Sequence, residues 1–193
     1  MKTLALTLTA STIAAFVLTS AFAAPALADT GDSKAIVTGG ALSETVTGVD
    51  LTTVILDGKT TKHATGTSAQ WSITDARGTG AVWALNATAT NFVSAAGSVD
   101  TIDRTIDASN LSVTVGPITA VGASDAAPTA STPISLSTST TTLLSAPANT
   151  KGTFTLTPYF DLSVPVNAYR SNNVGAANST INPYIATVTY TIG

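Results

Sequence analysis

Two runs of strict apolar–polar alternation carry the only two tryptophans of the chain, and no other feature restricts its fold as much. In the first, Trp71 and Ile73 alternate with Ser72 and Thr74. In the second, Ala81, Trp83, Leu85, Ala87 and Ala89 share one side, and Val82, Ala84, Asn86, Thr88 and Thr90 the other. A period of two marks a half-buried strand, because successive side chains point to opposite faces of a sheet. Between the runs, Asp75-Ala-Arg-Gly-Thr-Gly80 offers an aspartate able to bond its own backbone and two glycines free to take positive φ. The spacing predicts a hairpin over residues 71–92 with both indoles on it. Each buried indole would withdraw about 150–250 Å² from water. That is a gross stabilisation on the order of 4–6 kcal/mol apiece.

The pattern recurs along the chain. In the longest alternation, Phe154, Leu156, Pro158, Phe160, Leu162, Val164 and Val166 face one way, and Thr153, Thr155, Thr157, Tyr159, Asp161 and Ser163 the other. Pro158 and Pro165 cannot donate to a ladder, so this run is expected at an edge or broken there. The chain closes with Tyr184, Ala186, Val188, Tyr190 and Ile192 on one face. Residues 35–37 and 42–46 flank Gly39-Gly40 and predict a short strand pair. Residues 53–56, 111–115, 134–136 and 142–145 read as further short strands.

Three stretches read as loops: polar residues 59–69 with the single His63, the Ser/Ala/Pro-rich 122–133, and the Asn-rich 167–183, a candidate binding loop. Asp100, Asp103 and Asp107, with Ile102 and Ile106 four apart, are compatible with one helical turn. Short alternating strands with almost no helical period predict an all-β fold, an antiparallel two-sheet β-sandwich of Ig-like, Greek-key type with long surface loops.

Residues 1–28 read as a secretory signal: Lys2, an apolar stretch from Leu4 to about Leu18, and the small-x-small site Ala26-Leu27-Ala28. Polar Thr7, Thr9, Ser11 and Thr12 interrupt the apolar stretch and Pro25 follows it, which disfavours a retained membrane helix. The remainder, residues 29–193, is expected to be one exported domain with 7 basic against 11 acidic side chains. With no basic stripe to neutralise phosphates, nucleic acid is not an expected partner. The negative balance also argues against simple electrostatic adhesion to anionic wall polymers. The chain has no cysteine, which excludes thiol chemistry and an N-terminal lipid attached through cysteine. Its last residues, Tyr190-Thr-Ile-Gly193, hold neither a sortase signal nor an apolar tail, so surface retention is expected to be non-covalent.

Chemistry-bearing patterns are sparse. A Ser-His-Asp arrangement would have to use His63, and no G-x-S-x-G elbow accompanies any serine. The Asp100–Asp107 stretch lacks the spacing and closing glutamate of an EF-hand and contains Arg104. Asp75 and Asp161 are available as a carboxylate pair, but the turn role of Asp75 already accounts for it. No catalytic residue, metal or cofactor is expected.

Trp83-Ala84-Leu85, preceded by TDARGTG and followed by NATATNF, resembles the first signature of the WxL domain, a cell-surface module of Gram-positive bacteria. The family's second signature is a Tyr followed by another Trp-x-Leu. Tyr184-IATVT-Tyr190-Thr191-Ile192 is similar to it, with Tyr190 at the usual Trp and Ile192 at the usual Leu. The resemblance implies a secreted, non-enzymatic protein held non-covalently on peptidoglycan or another cell-wall polysaccharide, with Trp83, Leu85, Tyr184, Tyr190 and Ile192 as ligand-binding residues. It also implies partners: other WxL proteins and a membrane-anchored companion with an Ig-like ectodomain. An alternative contact surface comprises Tyr159, Tyr169, Asn172 and Asn173. The rival function is a structural subunit of a pilin-like or coat-like surface assembly, and a third is a polysaccharide-active enzyme.

Overall fold

Runs of Thr, Val, Ile, Leu and aromatic residues, punctuated by Gly, Asn and Pro, form strands throughout the chain. The computed structural model describes residues 33–130, 133–175 and 180–193. The predicted signal segment 1–28 lies outside them. The body that carries the sheets is Val37–Gly193.

In chain order, the strands begin with β1 (Leu42–Thr45), β2 (Lys62–Thr67), β3 (Trp71–Asp75), β4 (Trp83–Ala89), β5 (Phe92–Ser94) and β6 (Arg104–Ile106). A 3₁₀ turn at Ala108–Asn110 leads to β7 (Leu111–Thr114), β8 (Thr119–Val121), β9 (Thr129–Ala130), β10 (Ile134–Ser135) and β11 (Thr141–Ala146). The last five are β12 (Gly152–Leu156), β13 (Tyr159–Val164), β14 (Asn172–Asn173), β15 (Ile181–Asn182) and β16 (Val188–Ile192). Three sheets have four strands, in the orders β1-β3-β12-β8, β10-β7-β13-β2 and β16-β4-β11-β9. The pairs β14-β15 and β5-β6 form two small ribbons. All pairings within these sheets are antiparallel. The all-β, antiparallel class expected from the alternation is the class observed.

The expected hairpin over residues 71–92 does not form. β3 pairs with β1 and β12, whereas β4 pairs with β11 and β16 in a different sheet. Residues 76–82 instead carry the chain from one sheet to another. Ala76 exchanges backbone hydrogen bonds with Gly40 and Ala41, extending the β1–β3 ladder. Gly80 takes φ +67 and its carbonyl accepts the Asn149 N–H at 2.8 Å. A side chain on Gly80 would press on the Asn149 amide. A long-range partner on each side thus overrides the local turn chemistry.

The strand pair expected around Gly39-Gly40 is also absent. β1 forms, but residues 35–37 belong to no strand, because the ladder partner of β1 is β3. Any side chain on Gly39 would collide with the Arg77 carbonyl, so the chain passes that carbonyl only as glycine. The polar stretch read as a loop contains β2, which pairs along its whole length with β13 and buries Ala64. The helical turn expected near Asp100–Asp107 is replaced by β6: Ile106 is buried in it, while Ile102 points to solvent.

The long alternation of residues 154–164 keeps its phase, and Phe154, Leu156, Phe160, Leu162 and Val164 are all buried. It is divided at Thr157-Pro158 into β12 and β13, which lie in two different sheets. The proline marks this crossing and not a sheet edge, since β13 runs between β7 and β2.

One apolar cluster joins the three large sheets. The Trp71 ring from β3 lies 6.2 Å from Phe160 on β13 and 4.8 Å, edge-on, from Tyr190 on β16. Trp83 on β4 lies 6.0 Å from Phe154 on β12. Edge-on and tilted contacts at these distances suit the ring quadrupoles. Neither indole N–H is stranded: Trp71 Nε1 donates to Ser68 Oγ and the Thr47 carbonyl, Trp83 Nε1 to the Thr150 carbonyl.

Candidate functional site

The two signature-like segments, about a hundred residues apart in sequence, are neighbouring strands. β4 and β16 pair with Leu85 opposite Ile192 and Ala87 opposite Tyr190. The ladder continues past β16, where Ala84 and Gly193 exchange both backbone hydrogen bonds. Alternation sends Trp83, Leu85, Ala87 and Ala89 inward, all at 2% exposure or less. Trp83 and Leu85 therefore have buried side chains that shape the interior. Tyr190 and Ile192 are half-buried, and burial of the Tyr190 phenol pushes its pKa upward. Tyr184 is also half-buried, and its hydroxyl donates to the Tyr169 carbonyl at 3.0 Å.

Where these strands meet, an open depression of about 540 Å³ is lined by Val82, Trp83, Ala84, Ala146, Pro147 and Gly193. It is predominantly apolar, and Val82 at its rim is 64% exposed. The wall beneath is braced by the segment that carries Asn149 and Thr150. Asn149 occupies the left-handed region at φ 67, a conformation asparagine tolerates better than most residues. That places the Thr150 carbonyl against the Trp83 indole N–H at 3.1 Å. Nothing in the local sequence marks Asn149 or Thr150 as supports for residue 83; only their contact across the fold does.

The turn aspartate does more than its predicted work. Asp75 accepts the Arg77 backbone N–H, as expected for an Asx turn, and its two oxygens also take Arg77 Nε at 3.0 Å and Nη2 at 2.9 Å. Arg77 Nη2 reaches on to the Ala81 carbonyl. The Asp75 side chain has no exposed surface, and the Arg77 guanidinium holds its carboxyl below the usual carboxylate range. This bidentate pair, with the Arg77 bond to the Ala81 carbonyl, braces the segment that leads to Trp83.

The proposed alternative surface divides in two. Tyr159 and Tyr169 are 41% and 63% exposed, but Asn172 and Asn173 are buried. This corrects the expectation that the two asparagines contact a ligand. Asn172 Nδ2 donates to the carbonyls of Ser94, Ala95 and Ile102 at 2.8–3.1 Å, while its backbone N–H donates to Ser94 Oγ. Polar side chains read as solvated here satisfy buried backbone, since the two short ribbons leave carbonyls without ladder partners. Asp100 accepts the Asn173 N–H and pairs with Arg170 at 2.9 Å, which together draw its pKa down. Asp103 accepts the Ala96 N–H. Among the described residues no group of three or more acidic, His or Cys side chains is arranged to hold a metal ion. Arg104 lies 3.9 Å over the Tyr169 ring, a cation–π contact that leaves one face of that ring covered.

His63, on β2, pairs through Nδ1 with Asp161 Oδ1 on β13 at 2.8 Å. The ladder sets this pair up, because His63 lies opposite Ser163, two residues from Asp161. The nearby Ser112 hydroxyl donates to the Asp161 main-chain carbonyl, so it is not held by the imidazole as a nucleophile would be. A second depression, about 340 Å³, is lined by Val121, Ser124, Asp125 and Lys151. Its charges are joined in an ion pair at 3.0 Å.

Compared with known proteins, this chain matches no protein-family model, no curated protein and no solved structure.

Proposed function

We propose that the chain is a secreted, non-enzymatic surface protein that attaches non-covalently to the Gram-positive cell wall, as the WxL-like signatures imply. The observation that carries this reading is the direct pairing of the two signature-like segments, Leu85 against Ile192 and Ala87 against Tyr190. A motif split between distant parts of the sequence has a common physical purpose if its halves share one ladder. Trp83 and Leu85 act in this reading as builders of the strand pair, because their side chains are buried. Contact with peptidoglycan then falls to the apolar depression over Val82, Ala84 and Pro147, where both segments end.

The same reading includes a two-layer sandwich. The sheet with β3 and β12 forms one layer, and the sheets with β4 and β13 together form the other. Trp71 touching both Phe160 and Tyr190, and Trp83 touching Phe154, support that stacking.

Co-sedimentation with purified peptidoglycan tests the function. The wild-type chain is expected in the pellet. Val82→Asp, at a rim position 64% exposed, should weaken retention about tenfold without altering the fold, which near-ultraviolet circular dichroism reports. A wild-type chain that stays in the supernatant overturns wall attachment. Retention unchanged in Val82→Asp moves the contact away from this depression.

A further inference from the structure

Ile36 and Val37 are 95% and 93% exposed, the highest values among the exposed large apolar residues. They lie in residues 34–38, part of an exposed run that belongs to no strand. Ile, Val and Thr are strand formers, and a run of them left in water is a template for pairing.

A free edge is present in the same fold. β16 is the end strand of its sheet and offers a five-residue edge. Its bonds to β4 run through alternate residues: Thr187 accepts from the Thr90 N–H, and Gly193 exchanges both bonds with Ala84. The register is unbroken between these points. Antiparallel pairing therefore turns the amides and carbonyls of Val188, Tyr190 and Ile192 away from β4, towards the free edge. The side chains of these three face the core yet remain half-buried, while Leu85, Ala87 and Ala89 beside them are fully buried. Such a gradient marks a core left open at its last strand. β1, the end strand of another sheet, borders the same seam.

We propose that Lys34–Thr38 of one chain adds as a strand to the free edge of β16 in a second copy. Main-chain bonds to Val188, Tyr190 and Ile192 would supply the affinity of this strand addition. One of Ile36 and Val37 would cover the seam, and the other would lie on the outer face, since neighbours in a strand point to opposite sides. The donor and acceptor are different surfaces of the same molecule, so the contact is heterologous and can propagate from copy to copy. This inference goes beyond wall attachment and does not depend on it.

The test is self-association of the purified exported chain, followed by analytical ultracentrifugation over a wide concentration range, with residue-resolved hydrogen exchange. The wild-type chain should associate, and the amides of Val188, Tyr190 and Ile192 should gain protection as it does. The double variant Ile36→Pro/Val37→Pro removes whichever of the two neighbouring N–H groups faces β16, and it should abolish association while the tryptophan signals of the fold stay unchanged. Ser33→Pro, just outside the segment, should associate as wild type does. A wild-type chain that is monomeric throughout overturns the proposal. So does association that survives Ile36→Pro/Val37→Pro, or that leaves the three amides unprotected.

Discussion

Around Trp71, where the large sheets meet, the interior is apolar; around Asn172, among the ribbons β5-β6 and β14-β15, it is polar. In the first region, Trp71, Ile73, Phe154, Leu156 and Phe160 meet across sheets, and their burial needs only rough complementarity of shape. In the second, the ribbons β5-β6 and β14-β15 are too short to bury such a set. Asn172, Ser94 and Asn182 instead cross-link the backbone of residues 94–102 to β14 and β15. Burial is non-directional, whereas hydrogen bonds fix angles as well as distances. The sheets therefore gain stability from area, and the loop cluster gains a defined shape from a few polar side chains. Exposed Ile102, Tyr169, Ile181 and Ile185 rest on that polar frame.

The largest effect is expected from Trp83→Ala, which empties a site in the apolar region and strands the Thr150 carbonyl. Its cost should be about 3–5 kcal/mol of global stability, read by denaturant unfolding. A loss under 1 kcal/mol would mean that the indole does not organise the sheets, and the contrast between the regions would collapse.

Next comes Asn172→Ala. The Ser94 and Ile102 carbonyls lose this side-chain donor, Ala95 keeps only the Asn182 amide, and local opening should become easier by about 2–3 kcal/mol. Hydrogen exchange should quicken at residues 94–104 and 172–182 and stay unchanged in β3, β4 and β12. If exchange quickens uniformly, the two regions are one cooperative unit, and the distinction drawn here is wrong.

Asp75→Ala should have the smallest effect, about 1–2 kcal/mol, because the partly exposed Arg77 keeps access to water after losing its partner. It adds a pH signature to the apolar region. The Asp75 carboxyl is held below its unfolded pKa, first by the Arg77 side chain. The folded state therefore binds fewer protons there than the unfolded chain. The contribution is complete above the ordinary carboxylate range and is lost as pH falls below it. Stability measured against pH should show a shallower acid limb in Asp75→Ala than in the wild type. Identical limbs would assign the acid sensitivity to other carboxylates.

The alternations were legible before any coordinates. Period two in residues 71–75, 83–89, 154–164 and 184–192 named the strands, and the inward positions are the buried or half-buried ones. The function of Asp75 as a turn residue was legible too, since an Asx turn is a local bond. Its pairing with Arg77 is equally local, but a bond between side chains two residues apart leaves no mark on the apolar–polar alternation. Ladder partners were not legible. The hairpin expected at residues 76–82 was a sound reading of Gly and Asp, and it failed because β12 and β11 were better partners for β3 and β4 than these strands were for each other. Asn172 and Asn173 misled for a related reason: an asparagine in a polar run looks alike in sequence whether water or three buried carbonyls take its amide.

The sequence alone determined the strongly alternating strands at residues 71–75, 83–89, 154–164 and 188–192, which face of each turns inward, and that the fold is all-β. Those properties follow from side-chain periodicity, which each segment carries within itself. The tertiary structure decided which strands pair, that the two signature-like segments lie side by side, and that Asn172 is buried against backbone carbonyls of residues 94–102. Pairing is a competition among segments far apart in the chain. Its outcome depends on the summed burial and hydrogen bonding of the whole, which no single stretch of residues encodes.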